Sequence, residues 1–225
     1  QTCALPISGI FFFFLMEFLQ FVQYFWINEC DSTVNQVLTV VGFLHICFQP
    51  YFTHLMNASA LRSKSSVAKF SMVKNLCLIG GLLLFSRCVA ALLMDPVDSG
   101  LFKLSACPST EWVRGESLCT YKGNVHLAWS IPLTDATYLP WQPGIALHSF
   151  LMFAPFFAVN RPLSWVQGAV LFISGPLMAS YFTSNLQEQA SIWCFFSIIQ
   201  IAIMVLVIMR SPPPIRQEKE KMKTG

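Results

Sequence analysis

An all-α bundle of membrane-spanning helices is the fold class this sequence predicts, on three observations. Charge is scarce: 11% of the 225 residues are charged and 55% are hydrophobic, with a mean hydropathy of +0.57. An ordinary soluble domain carries about 25% charged residues, so a soluble helical protein of this composition would lack a polar shell. Several apolar runs approach or exceed the roughly 18–20 residues that cross a bilayer. The Lys and Arg residues are grouped between the runs instead of being spread over a surface. A net charge of +3, distributed in this way, gives no footprint for nucleic acid.

Residues 1–7, QTCALPI, read as one translated frame of a common sequencing adapter and are set apart from the fold. The first helix is expected over 8–28, with Glu17 at its middle and Gln20 and Tyr24 on the same face. A second helix, over 36–57, carries Leu38, Gly42, His45, Gln49 and Thr53 along one stripe. Pro50 within it kinks the helix and frees a carbonyl. His54 is placed at the membrane interface and His45 in the site. The basic loop ALRSKSSVAK follows, with a formal glycosylation sequon at Asn57 placed on the wrong side for modification. A third helix, over 72–94, holds Gly80, Leu83, Arg87 and Ala91 on one face. Arg87 lies roughly 10 Å deep at 1.5 Å per residue, where it either reaches outward or pairs with Glu17.

The polar stretch 95–123 reads as an outer lid closed by a Cys107–Cys119 disulfide, provided it faces an oxidising compartment. Cys47, Cys77, Cys88 and Cys194 fall in apolar runs and behave as small hydrophobes. Next comes YKGNVHLAWSIPLTDATYLPWQPGIALHSFLMFAP, from Tyr121 to Pro155, broken by Pro132, Pro140, Pro143 and Pro155. Its first part, 126–138, is too short to span as a helix and is read as re-entrant. Irregular backbone at that depth survives only against protein or water. A helix over 144–160 follows. A helix over 163–183 has a small-residue face of Ser164, Gly168, Gly175 and Ala179 suited to close packing. A last helix covers 191–209, and 210–225 reads as a disordered basic tail. A single helical domain thus covers 8–209.

Six crossings plus the re-entrant piece place both termini in the cytoplasm. Ten basic residues then face inward and only Lys103, Arg114 and Lys122 face outward, as the positive-inside bias requires. Seven crossings, the alternative, would turn one of the two main basic segments outward.

Glu17, His45, Gln49, Arg87, His126, Asp135 and His148 are the candidate cavity-lining residues, because ionisable groups at membrane depth avoid lipid and gather in the interior. His126, His148, His45 and Asp135 are chemically able to bind zinc. Their spacing is not diagnostic, since no two histidines stand three or four residues apart. Ser130 and Ser149 adjoin histidines without a nucleophile-elbow motif. No motif requires a cofactor.

The run HLAWSIPL, followed by Tyr138, Pro143-Gly144, His148, FLMF and Pro155, and then SIWCFFSI, resembles an uncharacterised family of small polytopic membrane proteins, a domain of unknown function. The resemblance covers most of 33–209 and implies the architecture without an activity. The sequence therefore supports a lipid-embedded protein with an outward-facing polar cavity for a small ligand, as in a transporter, channel or receptor. The alternatives are an intramembrane metal-assisted lipid hydrolase and a structural subunit. The basic asymmetry predicts that a cysteine placed by Ser65→Cys reacts with an impermeant thiol reagent only after cells are opened. Labelling of intact cells would reverse the orientation.

Overall fold

The computed structural model describes residues 4–60, 64–93, 111–134, 144–158 and 162–210. Cys107, Asp135 and the tail from 211 onward lie outside the described residues. Helix α1 (Ala4–Gln23) ends in a single 3₁₀ turn, Tyr24–Trp26. Phe11, Phe14, Phe18 and Phe21 are exposed along one of its faces, while Phe13, Met16, Leu19 and Gln20 are buried on the other. That is the three-and-four spacing of a one-sided helix. Here the exposed side is the more aromatic one, which suits lipid and not water.

Helix α2 (Thr33–Ala60) runs back along α1: Gly42 lies against Leu19 and Gln23, and Gly9 against Met56. Helix α3 (Lys64–Leu93) packs on α2 closely enough that a side chain at Gly81 would meet the Cys47 carbonyl at 2.6 Å. Helix α4 (Gly144–Ala158) lies on α3, and α5 (Pro162–Phe172) lies on α4 with Gly168 against Phe156. A π-turn, Ile173–Leu177, leads into α6 (Met178–Phe182), and α7 (Leu186–Arg210) returns to contact α1 and closes the bundle. The π-turn contains Pro176, whose missing N–H disturbs the regular ladder. It also brings Gly175 against the Trp193 indole. The small-residue face expected here is thus a packing face, with Ser164, Gly175 and Ala179 all buried.

Three helical stretches among the described residues are long and apolar enough to cross a membrane: Ser8–Trp26, Met72–Leu93 and Ser164–Phe182. Helix α2, although 28 residues long, is made less apolar by His45, Gln49, His54 and Asn57. Apolar length alone therefore does not carry six crossings.

The described part of the segment expected to re-enter the membrane, residues 126–134, contains a strand instead. β1 (Cys119–Lys122) and β2 (Leu127–Ser130) pair antiparallel, with Cys119 opposite Ser130 and Lys122 opposite Leu127. The ladder satisfies the backbone that a re-entrant piece would have had to satisfy against a cavity. All four residues of β2 are buried, packed on α7. This hairpin caps the end of the bundle where α1 meets α2 and α6 meets α7.

The disulfide differs from the expected Cys107–Cys119 pair. Cys119 is bonded to Cys30 in the α1–α2 turn, with the Cα atoms 4.9 Å apart. Asn35 places the partners: its amide donates to Trp26 O at 2.7 Å and Thr120 O at 2.8 Å, and its carbonyl accepts Thr120 N–H at 2.9 Å. An asparagine side chain here completes the free edge of β1. Cys47, Cys77, Cys88 and Cys194 are free and buried, as expected. Cys30→Ser and Cys119→Ser should each lower unfolding stability by about 2–5 kcal/mol. The double variant should be no worse than either single one, measured by thermal unfolding in detergent.

Candidate functional site

Arg87, 2% exposed on α3, grips both carboxylate oxygens of Glu111, with Nη2 to Oε2 at 3.0 Å. Its Nε donates to Thr134 O at 2.8 Å, and Thr134 N–H returns a bond to Arg87 O at 3.3 Å. Arg114 Nη1 reaches Glu111 Oε2 at 2.9 Å. A buried guanidinium is tolerated only when its charge is paired and its donors are used, and the two-pronged fit to a carboxylate does both. The partner of Arg87 is thus Glu111, not Glu17. Glu111 stood in view within PSTEWVRGE, but no local spacing marks a loop acid as the mate of a helix arginine.

Below this pair lies a cavity of about 30 Å³, room for about two waters. Its wall includes Arg87, Glu111, Trp112, Leu133 and His148, and is otherwise mostly apolar. His148 is 3% exposed, and neither ring nitrogen has a hydrogen-bond partner. The Ile46 backbone lies beside the ring, outside hydrogen-bonding geometry. The Trp193 indole meets it edge-on at 5.5 Å.

A second, smaller void of about 10 Å³ lies among α1, α2 and α7, with Ile46 in the walls of both. It is lined by His45, Gln49, Met16 and Cys194. His45 stacks on Phe12 at 4.4 Å and donates through Nε2 to Phe12 O at 3.2 Å. Glu17 is half-buried on α1, with one carboxylate oxygen buried and unpartnered. His126 is elsewhere again, at the hairpin turn, 5.8 Å from both Tyr24 and Phe195.

Among the described residues, the candidates do not line one cavity. Arg87 shares one void with His148, Gln49 shares another with His45, His126 belongs to the cap, and Asp135 lies outside the described residues. Among the described residues no three His, Cys, Asp or Glu side chains come together as metal donors. His54, expected at the interface, is fully buried and donates to Leu151 O at 2.9 Å. Asn57 is buried and accepts from Gln167 at 2.7 Å, so the sequon is occupied by packing.

Glu188 was missed altogether. Its Oε1 accepts the N–H groups of Val125 and His126, each at 2.5 Å, and its Oε2 accepts the Thr183 hydroxyl at 2.7 Å. Nothing in NLQEQ marks which acid receives a distant turn. Burial pushes the Glu188 carboxyl up, but bonds from His126, Thr183, Val125 and Asn124 outweigh it and leave the group below its usual range. Burial holds His126 below the usual histidine range, against the opposing pull of the Glu188 charge.

Fold and site together define a helical bundle with membrane-compatible helices, a disulfide-stapled β-hairpin cap and a small void beneath it. By its sequence over residues 2–217 the chain belongs to a family of unknown function, DUF5765. No curated protein and no solved structure gives a match.

Both cap groups bind protons less readily when folded than when unfolded. Their stabilisation is therefore complete above about pH 6.5 and is lost as pH falls, first through the histidine range and then through the carboxylate range. Unfolding midpoints measured from pH 8 to pH 4 should fall accordingly. His126→Gln should flatten the upper part of the curve and Glu188→Gln the lower part.

Proposed function

We propose that this chain is a multi-pass integral membrane protein with six crossings, both termini cytoplasmic and the hairpin cap outside. Within that architecture it acts as a small transporter or ligand receptor with its site closed, not as an open channel. The observation that carries the reading is His148. A fully buried imidazole with two unpartnered nitrogens, facing a cavity that also holds an ion pair, is costly in a bundle built only to pack. A small hydrogen-bonding ligand entering from beneath the cap would supply the missing partners. Three apolar helices and the exposed phenylalanine row of α1 support the membrane setting. The Cys30–Cys119 bond supports an oxidising compartment for the cap. The basic residues Arg62, Lys64, Lys69 and Lys74, grouped in sequence around the α2–α3 junction, support the orientation.

The cavity's size and mostly apolar wall favour a second reading, a structural subunit with two trapped waters. Thermal unfolding of the purified protein against a panel of small polar metabolites separates the two. A true ligand present at about a hundred times its Kd adds about 2.7 kcal/mol, a rise of roughly 5–10 °C for a chain of this size. His148→Phe, which fills the void, should abolish that rise without lowering the unliganded midpoint. No rise with any compound, together with a higher midpoint for His148→Phe, would establish the structural reading.

A further inference from the structure

Glu17 is the tenth of the 19 residues of Ser8–Trp26, with roughly 14 Å of helix on either side at 1.5 Å per residue. Among the described residues no cation pairs with it, because Arg87 is taken by Glu111. Its Oε1 is buried without a donor, and one turn on, Gln20 is 2% exposed with both amide atoms unpartnered. The titratable groups from the packed elements are Cys194 on α7, within electrostatic reach, and His45 on α2. His45 and Cys194 share with Met16 the smaller void, about 10 Å³, close to what one water needs. An ionised carboxylate at this depth, with no counter-ion and one oxygen buried without a donor, is disfavoured against the neutral acid.

We infer that Glu17 is a proton-binding site, carrying its proton in the closed bundle and releasing it when water enters the void between α1, α2 and α7. On release the O–H bond breaks with its electron pair left on the carboxylate, and the proton passes to water. Cys194 and His45 do not take that proton in the closed state: Cys194, as a neutral thiol, already holds its own proton, and His45 is held in place by its Nε2 bond to Phe12 O. The inference goes beyond the ligand site beneath the cap and does not rest on it, since Glu17 is not in the wall of the void that holds His148.

Dicyclohexylcarbodiimide, an apolar reagent, tests it on the full-length protein in phospholipid vesicles. The reagent attacks only the protonated acid: the carboxyl O–H adds across a C=N bond, and rearrangement to the N-acylurea keeps every atom. The α1 peptide, read by mass spectrometry, should gain the whole reagent mass at Glu17 at neutral pH. Labelling should fall as the medium becomes alkaline, be absent with a water-soluble carbodiimide, vanish in Glu17→Gln and persist in Glu17→Asp. Glu17→Gln removes only an unpartnered charge site, so it should elute as a folded protein, which separates lost labelling from lost structure. Absence of labelling by the apolar reagent at every pH, or equal labelling by the water-soluble one, would overturn the inference.

Discussion

The cap stays on the bundle because of one buried ion pair. Arg87 projects from α3 and binds both the segment entering the hairpin, through Glu111, and the segment leaving it, through Thr134. Removing Glu111 would strand Arg87 in a dry setting, a loss of about 3–5 kcal/mol, whereas Glu111 without Arg87 would keep Arg114. Once the hairpin is anchored, its remaining polar edges must also be satisfied, and side chains from the helix junctions do this. Asn35 and Asn28 meet the β1 edge. Glu188 fills the turn, and Ser191 donates to Leu127 O. The Cys30–Cys119 bond then fixes what these contacts have placed.

A similar demand explains the histidines within the helices. Pro155 has no N–H, so the Leu151 carbonyl four residues earlier loses its helical donor. His54 of α2 supplies one, and the Cys77 thiol lies 3.6 Å from the same oxygen. Pro50 frees the Ile46 carbonyl in the same way, and His148 of α4 lies beside Ile46. The two helices thus offer each other a histidine at the level of the other's proline. The exchange is completed at Leu151 and left open at Ile46.

The helices were legible because hydropathy and the three-and-four spacing act locally. The small-residue face of α5 and α6, the stripe on α2 and the four buried free cysteines follow from residues near one another in sequence. The hairpin was not legible. CTYK and LAWS are four residues each, and proline-rich apolar sequence around LAWS gives a stronger signal for broken helix than for strand. The long-range partners were not legible either. Which acid meets Arg87, which cysteine meets Cys119 and which carboxylate holds the turn are set by how the helices close into a ring, and composition does not record that.

Depth in the membrane is a poor guide to which polar residues act together, and the reason is energetic. Each buried polar group is drawn first to the nearest unsatisfied backbone or charge, because an unpartnered group costs about 1–3 kcal/mol. That draws His54 to Leu151, Arg87 to Glu111, His45 to Phe12 and the Asn57 amide to Gln167, leaving none of them free for a shared site. The informative groups are those that packing leaves over. By that measure His148 and Glu17 belong to the groups left over, as does His126 through its Nδ1. His148 and Glu17 each retain buried atoms without partners, and each adjoins a void or a void-lining residue. Such atoms cost free energy wherever packing leaves them, and at His148 and Glu17 that cost is what the two proposed sites would relieve.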